Sequence, residues 1–482
     1  MNRKVSKRFL IALIFTIIFF FVYSYRLPQS FSPTADFGRD IYHAARIAQG
    51  DIVLIGSKMN LGGYFVGPYF YYLLALPLLI SDFDINFVLY FHTFLFASAI
   101  GFFFWALTKK IGVLKTILAS VSIAFMPIYI MSARYPSNGY SYLPLLLILF
   151  SFVFLDFYKF RSVWLTLLGI FTGIIFNIHP ISALALIFVF FYIIWILKKK
   201  RLFWYFAWGF LITLLPLLIF EAKHDFVMTK DTFINHSYRS FTQDGNTPQF
   251  WLHENQIISS FLFLWGKFEN LVLLPPIFYF GSITLAVAWK WRKKVTISFD
   301  LFLLLSAILS FILLISILRF HFETHYIFPV LFLVPVVACI SLLRSKFYPL
   351  LLIVTALGIN SYFSQTYPNP ARSFTNIEQA VKYTLDQKLV KKGESFNLIA
   401  ITDAYGLVPT GYEYRFFFRK YDFYPSSEYD YQNPQKLLIF SETPYYDIDR
   451  FKMWATEEFG RQYFSKRDVY QVGNTTIYLI SK

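Results

Sequence analysis

The chain has little of what soluble proteins use to stay in water and to cross-link themselves. Only 15% of its 482 residues are charged, against about 25% in a typical soluble domain. Its one cysteine, Cys339, excludes an intramolecular disulfide framework and a cysteine-based zinc site. No Gly-rich phosphate loop, G-x-S-x-G elbow or H-E-x-x-H pair occurs in the sequence, which excludes these common motifs of soluble enzymes.

Apolar residues dominate instead. The sequence is 57% hydrophobic and 22% aromatic, and its mean hydropathy is +0.51. A soluble fold of this length has no means of burying so much apolar surface, and a disordered chain would be polar. The composition therefore indicates an integral membrane protein. Low glycine with abundant Phe, Ile, Lys and Tyr is typical of an AT-rich prokaryotic genome.

Long apolar runs define the expected architecture. A helix needs roughly 17–25 apolar residues to cross a bilayer. The sequence predicts eleven such spans, at about 9–24, 84–107, 112–131, 140–157, 162–178, 180–197, 202–220, 270–289, 299–318, 326–343 and 347–363. The first span is interpreted as an uncleaved anchor, because no good A-x-A cleavage site follows it.

Positive charge lies on one side of these spans. The connections that alternate from the N-terminus hold 19 of the 44 basic residues and two of the 28 acidic ones, a net charge of +17 against +16 for the chain. By the positive-inside rule this side is cytoplasmic. The N-terminus is then inside, and eleven spans place the C-terminus outside. No basic surface is left over for a nucleic acid.

Two outer regions stand apart from the short connections. The first outer loop covers 24–83, and its apolar part at 68–80 is too short for a span and reads as an interfacial or re-entrant helix. Hydropathy falls after residue 363. We therefore expect a polytopic α-helical membrane domain over 1–363 and a small extracytoplasmic α/β domain over 364–482.

The C-terminal segment carries ordinary helix and strand signals. Helices are predicted at 377–389 and 451–459, and β-type runs at 396–402 and 436–440. A hairpin is predicted at 468–480, where Gly473-Asn474 separates two runs rich in Val, Ile, Thr and Tyr.

The first candidate site is the cluster Asp36, Arg39 and Asp40 near the start of the first outer loop. On a helix these residues share one face, because they are spaced at i, i+3 and i+4. Two interpretations remain open from spacing alone. Asp36 can cap the helix with an Arg–Asp pair beside it, or the cluster can perform chemistry at the outer face.

The second candidate site is Glu221 with His224, where the seventh span leaves the membrane. At i, i+3 the pair is able to bind a divalent cation or contact a phosphate. A solvated helix end explains the same residues. The sequence shows no third metal ligand nearby, so the metal signal is weak and metal dependence stays open.

Other polar residues lie in the outer connections. His325 and Tyr326 belong to the connection 319–326, which has the charge and donors to hold a phosphate. An ordinary polar loop at a membrane exit explains the same residues. Arg134 and His179 stand at outer helix ends, where a structural role is the common one, and Lys58 lies in the first outer loop. Acidic and basic residues are thus predicted to cluster at the outer ends of many of the membrane spans.

These features together resemble the glycosyltransferase C superfamily, in particular its family 39 type, which contains protein O-mannosyltransferases and the bacterial aminoarabinose transferase. Members begin with one span and a long outer loop that opens with a catalytic Asp. Here that loop contains ADFGRDIY at 35–42, followed by GPYFYYLL at 67–74. The family's later motifs resemble FEAKH at 220–224 and His325-Tyr326 with Pro329.

The resemblance implies site residues and one departure. Asp36 falls at the position of the catalytic base, while many members have Asp-Glu where this sequence has Asp36-Phe37. Asp40, one turn later, is the alternative carboxylate. The resemblance assigns the remaining polar residues to the donor and its phosphate: Arg39, Lys58, Arg134, His179, His224, His325 and Tyr326.

The implied reaction is an inverting glycosyl transfer at the outer face of the plasma membrane. The donor is a sugar on a polyprenyl phosphate, and the acceptor hydroxyl belongs to a protein, a lipid or a glycan. The alternative is a multi-span transporter or lipid flippase, which would place acidic residues or helix breaks inside the spans. The predicted spans are nearly free of charge, which favours the transferase.

Overall fold

The computed structural model describes most of the chain, and every structural statement here concerns the described residues. They are 3–59, 64–154, 162–180, 182–183, 186, 200–235, 274–292, 305–306, 308–310, 312, 324–364, 367–402, 410–443, 448 and 453–482. The predicted spans at 180–197 and 299–318 fall largely outside this set, as does most of the connection 319–326.

Helices occupy the described parts of the apolar segments, and one further helix, Ala35–Ala48, lies in the polar part of the first outer loop. They are α1 (Arg3–Ser24), α2 (Ala35–Ala48), α3 (Tyr69–Ile80), α4 (Ile85–Ile111), α5 (Val113–Ala124), α6 (Pro127–Arg134), α7 (Leu143–Phe154), α8 (Ser162–Ile178), α9 (Lys200–Ile212), α10 (Leu215–Lys223), α11 (Leu274–Arg292), α12 (Phe328–Leu343) and α13 (Leu350–Ser364). The largely helical, apolar architecture predicted from hydropathy is confirmed.

Fewer of these helices are long enough to span a bilayer than the eleven predicted. Among the described residues, Lys7–Ser30 and Ile85–Ile111 meet the length and hydropathy of a membrane span. Two further pairs qualify if each bent pair is one span: α5 with α6, bent by 69°, and α9 with α10, bent by 53°. The count of eleven and its sidedness remain predictions.

The chain divides into two compact units. We call the first the membrane unit, which comprises Met1–Leu27, Val53–Phe70 and Leu89–Tyr367. The second, the outer-loop unit, comprises Pro28–Ile52, Tyr71–Val88 and Pro368–Lys482. Segments of the predicted first outer loop thus belong to the same compact unit as the C-terminal segment, an association that hydropathy does not reveal.

Helix α12 lies at the centre of the membrane unit. Every one of its 16 residues is buried, as expected of an apolar helix surrounded by other helices. The ring of Tyr129 stacks on Phe332 with centroids 4.1 Å apart, and the Tyr129 hydroxyl donates to the Phe332 carbonyl at 2.8 Å. These contacts fix α6 against α12.

Helices α8 and α9 approach each other through small residues. A Cβ at Gly169 would lie 2.1 Å from the Phe206 carbonyl oxygen, and one at Gly209 would lie 2.1 Å from that of Thr166. Small residues let membrane helices bring their backbones together, which strengthens van der Waals packing where no hydrophobic force acts between helices.

The C-terminal part of the outer-loop unit is a small α/β fold. Its helices are α14 (Phe374–Asp386), α15 (Tyr412–Lys420) and α16 (Trp454–Phe459), and its strands are β1 (Phe396–Ile401), β2 (Lys436–Ser441), β3 (Arg467–Val472) and β4 (Thr475–Ser481). The sheet order is β1-β2-β4-β3. Strand β1 pairs with β2 in parallel, and β4 is antiparallel to both its neighbours. The predicted hairpin, strands and flanking helices are confirmed, whereas α15 lacks a sequence prediction.

A buried cation holds α15 on the sheet. Arg415 is completely buried, and its guanidinium donates to the carbonyls of Thr410 and Ser426, each at 2.7 Å. It also donates to Oδ1 of Asn397 at 2.5 Å and to the Leu398 carbonyl at 3.1 Å. Because these acceptors satisfy the buried charge, Arg415 fastens the helix to β1.

Candidate functional site

The cluster predicted in the first outer loop lies on α2. The hydroxyl of Thr34 accepts a hydrogen bond from the Phe37 amide at 3.1 Å and caps the helix. Asp36 is therefore not the N-cap of this helix, so the interpretation that Asp36 caps the helix is wrong. Asp36 lies in the first turn, where the positive end of the helix dipole favours a carboxylate.

Arg39 connects the two carboxylates of the cluster. Its Nη1 donates to Oδ1 of Asp36 at 2.8 Å. Its Nε and Nη2 donate side-on to Oδ1 of Asp40, at 2.8 and 2.7 Å. The three residues predicted from the i, i+3, i+4 spacing are thus in direct contact.

Exposure separates the two carboxylates. The side chain of Asp36 is 74% exposed and that of Asp40 is 0% exposed. Of the two carboxylates, only that of Asp36 is accessible from solvent in this structure, whereas that of Asp40 contacts Arg39 from the interior. Among the described residues, Oδ2 of Asp40 has no hydrogen-bond partner.

Burial changes the proton affinity of Asp40. It raises the pKa of Asp40 to about 6 against the opposing effect of Arg39. A raised pKa in the folded state means that the native protein binds the proton more tightly than the unfolded chain. The contribution of Asp40 to the free energy of unfolding is therefore present at low pH and lost as the pH rises from about 4 to about 6.

This linkage predicts a pH-dependent difference between the wild type and Asp40→Asn. We expect the melting temperature of the wild type relative to the variant to be higher at pH 4.5 than at pH 7, because Asn does not titrate. Thermal unfolding of both purified proteins at the two pH values measures it. An unchanged difference would contradict the assignment.

His43 is a neighbour of the cluster that the sequence interpretation missed. It lies one turn after Arg39 and Asp40, and its ring stacks on Tyr71 with centroids 5.1 Å apart. Burial lowers the pKa of His43 to about 4, so the imidazole is neutral at pH 7. The i+7 spacing from Asp36 was the available signal for His43.

Phe37, the departure from the family pattern, has a packing role. It is 1% exposed, and its ring contacts Phe31 at 5.2 Å and Phe374 at 5.7 Å between centroids. Phe374 lies on α14, so this aromatic contact fixes the start of α2 against the C-terminal fold. Asp40 does not replace the missing Glu at the surface, because its carboxylate is buried.

A second contact between the start of α2 and the C-terminal fold is a hydrogen bond from Arg372, whose ion pairs lie within the C-terminal fold. Arg372 lies 3.1 Å from Oε1 of Glu413 and 2.6 Å from Oε2 of Glu442. It also donates to the carbonyl of Pro33, just before α2, at 3.1 Å. Burial raises the pKa of Glu413 despite Arg372. No local sequence pattern identifies this network, since its members lie far apart along the chain.

Gly38 is the point where α2 and Glu413 meet. A Cβ at Gly38 would lie 2.5 Å from the carboxyl carbon of Glu413, which Arg372 holds in place. We expect Gly38→Ala to lower the stability of the protein by about 1–3 kcal/mol, the usual range for overpacking.

A double-mutant cycle isolates this contact. Glu413→Ala removes the carboxyl group that the new methyl would meet, so Gly38→Ala should cost much less on that background. The melting temperatures of the wild type, both single variants and the double variant supply the comparison. If the stability losses of the two single variants simply add in the double variant, the contact between the new methyl group and Glu413 is not the cause of the Gly38→Ala effect.

The other predicted site residues belong to the membrane unit, where His179 and His325 come together. Their ring centroids lie 5.3 Å apart, and Tyr326 is 5.8 Å from His179. Nδ1 of His179 lies 2.6 Å from the Ser182 hydroxyl. His179 is buried, and within the described ranges its Nε2 has no hydrogen-bond partner.

Glu221 and His224 have separate partners. The two carboxylate oxygens of Glu221 accept the Met228 and Thr229 amides, each at 2.9 Å. His224 is exposed; its ring stacks on Phe220 at 4.1 Å, and Nδ1 lies 2.8 Å from the Phe220 carbonyl. In the described part of the chain, no group of three or more His, Cys, Asp or Glu side chains is placed to hold a metal ion.

Arg134 and Lys58 differ in exposure. Arg134 is 3% exposed and donates to the carbonyls of Tyr23 at 2.7 Å and Tyr25 at 2.8 Å. Its guanidinium also lies 4.1 Å from the ring centroid of Tyr367. These contacts tie α6 to the end of α1. Lys58 is exposed, and its backbone forms an isolated antiparallel β-bridge with Phe65.

Solved structures of one protein, ArnT, share this fold. ArnT from Cupriavidus metallidurans bound to undecaprenyl phosphate matches with a TM-score of 0.62 and 10% identity over 97% of each chain. The apo state of the same protein gives 0.60 and 11% over the same shares. An oligosaccharyltransferase from Archaeoglobus fulgidus, in complex with Zn and sulfate, gives 0.48 and 12% over 88% of this chain and 67% of that one.

No protein-family model and no curated protein matches the sequence. At 10–11% identity the likeness to ArnT concerns the fold. The expected fold, a largely helical membrane fold with a small sheet domain, is confirmed at this level.

Proposed function

We propose that this chain is an integral-membrane glycosyltransferase that moves a sugar from a polyprenyl-phosphate donor to an acceptor hydroxyl at the outer face of the membrane. The observation that carries the proposal is the exposed carboxylate of Asp36, held at 2.8 Å by Arg39 on the helix that opens the first outer loop. The likeness to ArnT, whose structure contains undecaprenyl phosphate, supports the class of donor.

Asp36 is the proposed general base. The acceptor oxygen attacks the anomeric carbon while Asp36 takes the hydroxyl proton. The bond between the anomeric carbon and the phosphate oxygen breaks, and the phosphate leaves with the bonding electrons. The anomeric centre inverts, so one carboxylate suffices where a retaining glycosidase needs two.

Arg39 orients the proposed base. A guanidinium within hydrogen-bond distance of the Asp36 carboxylate fixes its orientation. The side-on contact with buried Asp40 in turn fixes Arg39, so Asp40 is proposed as a positioning residue. A preorganised base avoids a reorientation cost during the reaction.

For the leaving phosphate, the proposal keeps the candidates named from the sequence. Buried His179 has a ring nitrogen without a hydrogen-bond partner in the described structure, which suits a phosphate oxygen. Lys58 and His224 are exposed donors, and His325 with Tyr326 lies against His179. Arg134 is proposed mainly as a structural residue, because its guanidinium already donates hydrogen bonds to two backbone carbonyls.

Consumption of the donor tests the function and separates it from transport. Purified protein in lipid vesicles would be given polyprenyl-phosphate mannose, glucose or aminoarabinose together with a membrane extract as acceptor source. A transferase releases polyprenyl phosphate and labels an acceptor. A flippase moves the donor between leaflets and leaves it intact, which would refute the proposal.

The outer location makes a separate prediction. A reporter that is active only outside the cytoplasm, fused after residue 365, is expected to be active, because positive charge assigns the C-terminus to the outside. The same reporter fused after Lys200 should be silent, since 198–201 is a basic connection. An inactive fusion at 365 would contradict the eleven-span topology.

A further inference from the structure

The outer-loop unit contains a cavity outside the Asp36 cluster. Its volume is about 230 Å³, below the roughly 300–1,000 Å³ of pockets for drug-sized ligands, so it suits a single small ring. Its principal lining side chains come from α2 and the residues just after it and from α15 and the residues just after it: Tyr42, Arg46, Asp51, Arg419, Tyr424 and Glu428.

Glu428 is a buried carboxylate that faces this cavity with few partners. It is 8% exposed. The Tyr412 hydroxyl donates to its Oε1 at a long 3.3 Å, and no cation in the described structure forms an ion pair with it. A carboxylate can accept several hydrogen bonds. Glu428 therefore has acceptor capacity left for a ligand that presents hydroxyl groups to the cavity.

The charges around the cavity balance. Arg46 pairs with Asp51 at 2.9 Å, and Arg419 lies 3.9 Å from the same carboxylate. The cavity is thus lined by two guanidinium groups and by two carboxylates, those of Asp51 and Glu428. A phosphate or a free cation would meet repulsion as well as attraction here, whereas a neutral molecule whose groups both donate and accept fits the set.

Aromatic faces complete the lining. The guanidinium of Arg419 lies 5.7 Å from the ring centroid of Tyr42 and 5.2 Å from that of Tyr424. Tyr424 is 53% exposed, so part of its ring is open to a ligand. An aromatic ring offers an apolar face with a polar edge, which matches the mixed apolar and hydroxyl faces of a sugar ring.

We propose that this cavity binds a neutral sugar ring of the acceptor, which makes the acceptor a glycan of more than one ring; the acceptor assignment rests on the proposed function. Tyr42 and Arg46 follow Asp36 by six and ten residues on the same helix, a distance of roughly 9–15 Å along its axis. The ring in the cavity is therefore not the ring whose hydroxyl Asp36 deprotonates.

Saturation-transfer NMR on the full-length protein in detergent micelles tests the cavity directly. The probes are the methyl glycosides of glucose, galactose, mannose and N-acetylglucosamine. At least one should receive saturation on its ring protons in the wild type. Glu428→Gln should weaken that glycoside's affinity by about tenfold, because a hydrogen bond to a charged group becomes neutral. Tyr424→Ala, at an exposed position, should weaken it as well.

Asp468→Asn, on the exposed face of β3, is the matched control and should bind as the wild type does. The absence of saturation on every glycoside would overturn the proposal. So would equal binding by the wild type, Glu428→Gln and Tyr424→Ala. The NMR experiment measures binding and does not depend on sugar transfer. A protein that binds a glycoside but consumes no donor in the vesicle assay would refute the proposed transferase. A protein that consumes the donor but binds no glycoside would refute the proposed cavity site.

Discussion

Replacing Asp36 by Asn is expected to lower the rate of sugar transfer by about 10²–10⁴-fold, the usual effect of losing a positioned base. Asn keeps the size of the side chain and a hydrogen-bond acceptor for Arg39, but it cannot take a proton from the acceptor hydroxyl. The fold should survive, because Asp36 is 74% exposed and exposed polar changes usually alter stability by under about 0.5 kcal/mol. Initial rates with a polyprenyl-phosphate sugar measure the effect.

Asp82→Asn is the matched control for this substitution. Asp82 is an exposed aspartate in the same unit, and its φ of 51° is one that Asn tolerates well. Its transfer rate should equal that of the wild type. If Asp36→Asn transfers sugar at the wild-type rate while Asp40→Asn is inactive, the base is Asp40. If both variants transfer normally, this helix does not supply the base.

Replacing Arg372 by Met should destabilise the protein by about 3–5 kcal/mol, the cost of leaving buried charges without their partner. Glu413 and Glu442 would lose the cation that both contact, and the Pro33 carbonyl would lose its donor. The expected fall in melting temperature is on the order of 10 °C for a unit of this size. Thermal unfolding of the purified full-length variant measures it.

Arg461→Met gives the comparison at an exposed pair. Arg461 lies 2.7 Å from Glu457 at i, i+4, with side chains 28% and 54% exposed. Surface pairs of this kind contribute about 0–1 kcal/mol, so the melting temperature should hardly change. Equal shifts in the two variants would show that the Arg372 network does not stabilise the unit more than a surface pair does.

Local patterns in the sequence predicted many of the elements. The turn Gly473-Asn474 between runs of β-branched and aromatic residues predicts the hairpin of β3 and β4. The apolar runs give the positions of α4, α8 and α12, because hydropathy and period are properties of short segments. The spacing of Asp36, Arg39 and Asp40 likewise predicts one shared face on a helix.

Long-range packing lay beyond those patterns. Nothing in the residues around Asp36 and Asp40 reveals which carboxylate is buried, because the neighbours that cover Asp40 come from elsewhere in the chain. The network of Arg372, Glu413 and Glu442 joins positions separated by tens of residues. Helix α15 contains buried Arg415 within an aromatic run, and the backbone and side-chain acceptors that bind this cation come from other elements of the C-terminal fold.

The configuration of the transferred sugar tests the central claim most directly. Wild-type protein would be given a polyprenyl-phosphate sugar of known anomeric configuration, and the coupling constant of the anomeric proton would be read in the product by NMR. A single base at Asp36 predicts inversion together with release of polyprenyl phosphate in equal amount. Retention of configuration, or a donor that persists unchanged with active protein and acceptor present, would contradict the account.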